Sequence, residues 1–160
     1  MSKWSVLKQD RFLIAILAAV GILVISALMV FFFRQDSHEY GSEDTPEGVV
    51  RNYVIAIHKE DFERAYSALQ DAPSKPNYQE FRQPFLAGRL ETSNVSVRMT
   101  ETKITGDDAV VKLTLTHGGT NPFEGNWSEK RSAILVLQNG KWKLTEMPYP
   151  YWAWDWDQKP

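Results

Sequence analysis

The side chains that could do acid–base or metal chemistry are few and scattered along this chain. The sequence has 160 residues, no Cys and three His, which excludes a thiol nucleophile, a disulfide and a Cys-ligated metal. His38, His58 and His117 do not have the spacing of metal ligands, and no Ser-His-Asp arrangement can be argued from the sequence. Asp107-Asp108 follows Gly106, as expected in a turn rather than in a catalytic carboxylate pair. We therefore expect no metal and no cofactor, and nothing here supports catalysis.

Four aromatic residues are candidates for lining a pocket. Tyr53 and Tyr66 fall on the apolar faces of two predicted helices, where we expect core rings with hydroxyls that reach the rim. Trp127 and Trp142 belong to predicted strands of the same domain. His58 ends the first of these helices, where a surface cation or a C-terminal hydrogen bond is favourable.

The C-terminal segment, residues 148–160, is the most unusual part of the sequence. From residue 149 to 156, five of eight residues are aromatic and are candidate partner-binding residues: Tyr149, Tyr151, Trp152, Trp154 and Trp156. In an extended chain the three tryptophans would point to one side. Four hypotheses remain open: the tail folds back over its own domain, docks on a partner protein, lies at the membrane interface, or stacks on sugars. Asp155 and Asp157 weigh against the membrane interface.

Residues 12–33 form a charge-free apolar run that predicts a transmembrane helix. About 20 apolar residues at ~1.5 Å each span a bilayer core of roughly 30 Å. A cleaved signal peptide is the rival interpretation, but its apolar region is shorter and ends in small residues. This run ends in the bulky residues 29–33, so we expect an uncleaved single-pass anchor.

The charges around this run predict its orientation. The chain as a whole has 18 Lys+Arg and 20 Asp+Glu, a formal net charge of −2, which argues against a nucleic-acid-binding protein. Lys3, Lys8 and Arg11 lie before the run, whereas the acidic residues that follow are more numerous than the single Arg34. Because positive charge stays on the cytoplasmic side, we expect residues 1–11 to form a cytoplasmic arm and the rest of the chain to lie outside.

The remaining sequence predicts a tether and one small α+β domain. Residues 34–45 are polar and aperiodic. Helical spacing then predicts two or three helices from Thr45-Pro46 onward, with Asp61 capping the second and Pro84 interrupting the third. After Gly88 the pattern alternates, which predicts about four antiparallel strands, the last two joined by a hairpin at Asn139-Gly140. The domain therefore covers residues 46–147.

Several segments of this domain resemble the nuclear transport factor 2-like (cystatin-like) superfamily. The segment TPEGVVRNYVIAIHKEDFERAYSAL looks like the first two helices of that family, and ITGDDAVVKLTL and LVLQNGKWKL look like its later strands. The resemblance implies a curved antiparallel sheet wrapped over helices, forming a cone with a hydrophobic pocket at its open end. It also implies membrane-anchored relatives, and a family that includes isomerases, dehydratases and cyclases as well as non-catalytic modules.

These observations lead to one preferred hypothesis and two rivals. The preferred hypothesis is a non-catalytic, membrane-anchored accessory or assembly subunit of a bacterial membrane, with an extracytoplasmic domain that binds a partner within a larger membrane complex. The first rival is an extracytoplasmic module that binds a small ligand, and the second is an enzyme such as an isomerase or dehydratase.

Overall fold

A computed structural model describes residues 3–35, 39–119 and 125–156. The chain divides into two units, at residues 1–39 and 40–160. The first unit contains one long helix, and the second is an α+β domain. The elements in chain order are α1 (Lys3–Gln35), α2 (Pro46–His58), α3 (Phe62–Ser67), α4 (Tyr78–Leu86), β1 (Val95–Thr105), β2 (Asp108–His117), β3 (Trp127–Gln138) and β4 (Lys141–Glu146).

Helix α1 is a candidate membrane anchor. Its segment Leu13–Val30 is long and apolar enough to cross a bilayer, and none of that segment is buried in the protein. The polar exception, Ser26, donates its hydroxyl hydrogen to the carbonyl of Ile22 at 2.8 Å. The helix begins at Lys3, so it includes much of the arm that precedes the apolar run.

The helices of the second unit begin where the sequence predicts. The Thr45 hydroxyl accepts a hydrogen bond from the backbone N–H of Gly48 at 3.1 Å, and Pro46 occupies the first turn of α2. Asp61 caps α3 through the N–H of Arg64 at 3.2 Å. Pro84 does not interrupt α4, which continues to Leu86; a proline removes one backbone donor, and this one lies near the helix end.

The four strands form one antiparallel sheet in the order β1-β2-β3-β4. Asn139 and Gly140 both have positive φ, 53° and 75°, which is the geometry of the predicted two-residue hairpin. Along β2 the side chains of Ala109, Val111 and Leu113 are buried, whereas those between them are exposed. One face of the sheet is therefore covered, and α2 packs on it with Tyr53 and its neighbours in the core. The α+β fold class expected from the sequence is confirmed.

A buried asparagine holds the segment before α2. Asn52 is almost fully buried; its amide group donates to the carbonyl of Gly41 at 2.8 Å and to Glu43 at 2.9 Å, and its oxygen accepts from the Gly41 N–H. Burial alone would raise the pKa of Glu43, but hydrogen bonds from Asn52 and Arg64 outweigh it and lower that pKa. Residues 40–44, which we assigned to the tether, are thus bonded to the domain.

Candidate functional site

The aromatic tail folds back into its own domain. It is not extended: the N–H of Tyr151 donates to the carbonyl of Pro148, and the N–H of Trp156 donates to the carbonyl of Ala153. Tyr151 is 0% exposed and Trp156 is 4% exposed, and Trp152 is buried with them. The first of the four hypotheses for the tail is therefore the one that this geometry matches.

Tyr151 is the polar centre of this folded-back segment. Its hydroxyl donates to the carbonyl of Val95 at the start of β1, at 3.1 Å, and lies 2.8 Å from Nε2 of His58. A hydroxyl group has one hydrogen, so Nε2 of His58 must be the donor in the second bond. The Tyr53 hydroxyl donates to the carbonyl of Tyr151 at 2.7 Å. These bonds connect α2, β1 and the tail.

Trp156 fills the space between the tail and α4. Its ring centroid lies 5.1 Å from that of Phe81, 6.3 Å from that of Phe85 and 5.0 Å from that of Trp152. Phe81 in turn contacts Tyr53, at 6.5 Å between centroids. This part of the interior is therefore filled by side chains of the chain itself.

The buried tyrosines are hydrogen-bond donors rather than bases. Burial raises the pKa of Tyr53 well above its ordinary value, with a further contribution from Tyr151, and burial also raises the pKa of Tyr151. Both hydroxyls therefore keep their hydrogens at neutral pH. Within the residues that the structure describes, no group of three or more His, Asp or Glu could hold a metal ion.

Two aromatic residues of the tail remain on the surface. Tyr149 is 63% exposed and Trp154 is 75% exposed. They border a groove of about 670 Å³ that lies between the tail and the outer part of β3. Ile134, Met147 and Pro148 contribute apolar surface to the same groove. We call it the tail groove; it is the candidate binding surface.

The four candidate pocket residues do not converge on one cavity. Tyr53 and Tyr66 both contact Phe81, and the Tyr66 hydroxyl donates to the carbonyl of Pro76 at 2.9 Å. Trp142 is half-buried on β4. Trp127 is exposed at the start of β3, whereas Trp142 pairs with Leu137 near the end of that strand.

The ring of Trp127 stacks on that of His117 at 3.9 Å. His117 also contacts Glu129, with Nε2 and Oε1 3.1 Å apart. Asp107 lies in the turn between β1 and β2, where its carbonyl accepts from the N–H of Leu137. His38 and Asp157 are outside the described residues.

Sequence reasoning missed the hydrogen-bond partners in this interior. His58 ends α2 and is exposed, as the sequence predicted, but the prediction missed that its ring also reaches the Tyr151 hydroxyl. It also passed over Asn52, although a polar residue beside Val49, Val50 and Tyr53 on an apolar helix face was a readable signal of a buried hydrogen-bonding role.

No protein-family model matches the sequence, and no curated protein matches it. Solved structures do align with it. A SEC-C motif containing protein from Rhodopseudomonas palustris aligns with a TM-score of 0.49 at 14% identity, over 66% of this chain and 79% of its own. An NTF2-like protein from Campylobacter jejuni aligns at 0.43 and 16% identity, over 62% and 96%. A cystatin-like fold protein from Nostoc punctiforme aligns at 0.43 and 22% identity, over 60% and 80%. NTF2-like and cystatin-like folds are thus among the structures similar to this chain.

Proposed function

We propose that this chain is a non-catalytic accessory subunit of a membrane complex, anchored by α1, whose extracytoplasmic domain binds a partner protein. The observation that carries the proposal is the division of the aromatic tail. Tyr151 and Trp156 fill the interior of the domain, whereas Tyr149 and Trp154 are exposed beside the tail groove. The buried aromatic residues of the tail pack the interior of the domain, and the two exposed ones are available to bind a partner.

The chemistry of the exposed residues supports a protein partner. Tyrosine and tryptophan are enriched among the residues that contribute most binding energy at protein interfaces. Soluble surfaces seldom leave large apolar side chains grouped beside an apolar groove. The buried residues Pro150, Tyr151 and Trp152 lie between the two exposed rings, so Tyr149 and Trp154 are presented from a held backbone rather than from a loose end.

The filled interior weighs against the rival in which the domain holds a small ligand. A ligand in the expected position would have to displace Trp156 from Phe81 and Phe85, with the loss of their packing. It would also have to break the hydrogen bonds of Tyr151 to Val95 and His58. The lost packing and the broken hydrogen bonds would both make the free energy of ligand binding less favourable.

Co-purification from host membranes in mild detergent tests the proposal. The full chain carrying both Tyr149→Ala and Trp154→Ala should lose its partner, because each such truncation at an interface costs about 2 kcal/mol or more, roughly 30-fold in affinity. The matched control is Ile104→Ala, which removes an exposed apolar side chain from β1, at the opposite edge of the sheet. The control should retain the partner. If the unaltered chain purifies alone, the proposed role is wrong.

A further inference from the structure

A second groove lies between the β3–β4 hairpin and the segment that leads into α2. Its volume is about 510 Å³, within the range of about 300–1,000 Å³ that is usual for small-molecule sites. It shares no lining residue with the tail groove. We call it the hairpin groove, and the lining residues that define it are Glu43, Asp44, Leu137, Lys141, Trp142 and Lys143.

The more buried part of the lining is apolar. Leu137 and Trp142 lie directly opposite each other in the β3–β4 pair, so their side chains share one face of the sheet. Both are half-buried, and Val49 of α2, which also lines the groove, is 3% exposed. An apolar side chain placed against them would remove further apolar surface from water, including part of the indole ring.

The segment before α2 contributes negative charge through Glu43 and Asp44. Oε1 of Glu43 accepts from the Asn52 amide at 2.9 Å and from the Arg64 guanidinium at 3.0 Å. Oε2 has no hydrogen-bond donor among the described residues. Burial alone would raise the pKa of Glu43, but these hydrogen bonds and the nearby charge of Lys143 lower it. The groove therefore contains a fixed, ionised carboxylate that can still accept a hydrogen bond.

The hairpin contributes positive charge through Lys141 and Lys143. Lys143 donates to the carbonyl of Ser67, and because an ammonium group has three hydrogens, two remain for a ligand. Lys141 is exposed. In the part of the chain that the structure describes, neither lysine forms an ion pair with Glu43 or Asp44. Charges of opposite sign thus line one groove without neutralising each other directly.

This pattern of charge selects a ligand that carries both signs. Arg64 offsets part of the charge of Glu43. Among the described residues, however, Asp44 has no cationic partner and Lys141 has no acidic one. A simple anion would pair with the lysines but be repelled by the carboxylates, and a simple cation would meet the reverse. A molecule with both an ammonium group and a carboxylate gains from both sides of the groove.

We infer that the hairpin groove binds a small zwitterionic molecule with an apolar side chain, the chemistry that free amino acids and dipeptides share. Its ammonium group pairs with Asp44 and with Oε2 of Glu43. Its carboxylate pairs with Lys141 and Lys143, and its apolar side chain packs on Trp142. The ligand does not enter the filled interior of the domain, so this site is independent of the folded-back tail and of the proposed partner.

Calorimetric titration of the full chain in nanodiscs tests the class of ligand. The probes are L-leucine and L-leucyl-L-leucine, each with its N-acetyl form, which lacks the ammonium group, and its amide form, which lacks the carboxylate. At least one zwitterion should bind, and its two blocked forms should bind about tenfold more weakly, because each loses charge-assisted hydrogen bonds. The tighter of the two zwitterions identifies the source. If neither binds at millimolar concentration, or if the blocked forms bind equally well, the inference is wrong.

Two substitutions of exposed side chains assign the charges to the two ends of the ligand. Lys141→Met should weaken the zwitterion about tenfold and leave the amide form within about twofold, because the amide form has no carboxylate to pair. Asp44→Asn should weaken the zwitterion and leave the N-acetyl form unchanged. Lys103→Met, which removes an exposed lysine of β1 outside the groove, should change nothing. Unchanged affinity in the two groove variants, or equal weakening of every probe, would overturn the inference.

The tail groove supplies a second control. The chain with both Tyr149→Ala and Trp154→Ala should bind the zwitterion as the unaltered chain does, because neither residue lines the hairpin groove. Loss of the zwitterion in that variant would place the ligand in the tail groove and contradict the hairpin site. Retention of the zwitterion supports the hairpin site, whether or not a partner protein co-purifies.

Discussion

At the scale of single residues, Tyr151 connects the tail to two other elements of the α+β domain. Its hydroxyl joins β1 through Val95 and α2 through His58, and its carbonyl accepts from Tyr53. A buried carbonyl or hydroxyl without a partner costs more than a made hydrogen bond gains. Tyr151 therefore holds the tail against α2 and β1 through a hydroxyl and a carbonyl that are both paired.

Removal of this hydroxyl should destabilise the domain measurably. Tyr151→Phe removes the hydrogen bonds of this hydroxyl to the Val95 carbonyl and the His58 ring, and we expect a loss of about 1–2 kcal/mol in the free energy of unfolding. Tyr149→Phe is the matched control: because Tyr149 is exposed, this substitution should change the free energy of unfolding by less than about 0.5 kcal/mol. Urea unfolding of the full chain in detergent, followed by near-ultraviolet circular dichroism, measures both. Equal stability of the two variants would contradict the role of Tyr151.

The same residues predict an alkaline pH dependence. Burial raises the pKa of Tyr53 and of Tyr151 above the ordinary value of 10.0. The folded state therefore holds these protons more tightly than the unfolded state, and stability is complete below about pH 10 and is lost as the pH rises above it. A chain with both Tyr53→Phe and Tyr151→Phe should lose less stability between about pH 9 and pH 11 than the unaltered chain. An unchanged slope would show that other groups cause the loss.

The sequence predicts which residues are buried better than it predicts what they bind. Apolar spacing placed Tyr53 and Tyr66 on core-facing sides of their helices. It gave no sign that Tyr53 would bond to the tail, because that contact spans 98 positions along the chain and depends on where the tail folds. Long-range pairs are set by tertiary packing, which local patterns do not encode.

At the scale of elements, the tail acts as a packing element without regular secondary structure. Trp156 contacts two rings of α4 and the ring of Trp152. Trp154, two positions earlier, is exposed. Five aromatic residues in one segment thus divide between core and surface.

This division predicts opposite effects for two neighbouring tryptophans. Trp156→Ala should cost about 3–5 kcal/mol, since a large buried ring is lost and a cavity remains. Trp154→Ala should cost less than about 0.5 kcal/mol, because the ring is exposed. Urea unfolding of the full chain measures both, and an apolar dye that gains fluorescence only with Trp156→Ala would indicate the opened interior. Comparable losses in the two variants would contradict the folded-back tail.

Local signals predicted the element boundaries well and the tail poorly. Thr45 with Pro46, Asp61 and Asn139-Gly140 act through their own side chains or backbone angles, and the structure has caps and a hairpin at those places. The tail offers no such periodicity. Its position depends on whether the interior of the domain has space for its aromatic rings. The sequence alone does not show this, so four hypotheses for the tail remained open.

At the scale of the whole molecule, the candidate anchor and the α+β domain differ in where their apolar side chains lie. None of the apolar segment Leu13–Val30 is buried within the protein. The second unit has its own core, which extends from α2 to the tail. The proposed subunit role requires the first to lie in lipid and the second to meet its partner on the outer side, which the flanking charges favour.

Membrane topology tests this requirement most directly, and the absence of native Cys makes the measurement simple. Single cysteines are introduced as Ser2→Cys and Thr105→Cys, the latter at an exposed position, and intact cells are treated with a membrane-impermeant maleimide. The account predicts that Thr105→Cys reacts in intact cells and that Ser2→Cys reacts only after the membrane is permeabilised. Labelling of Ser2→Cys alone in intact cells, or recovery of Thr105→Cys in a soluble form that has lost α1, would contradict an anchored extracytoplasmic subunit.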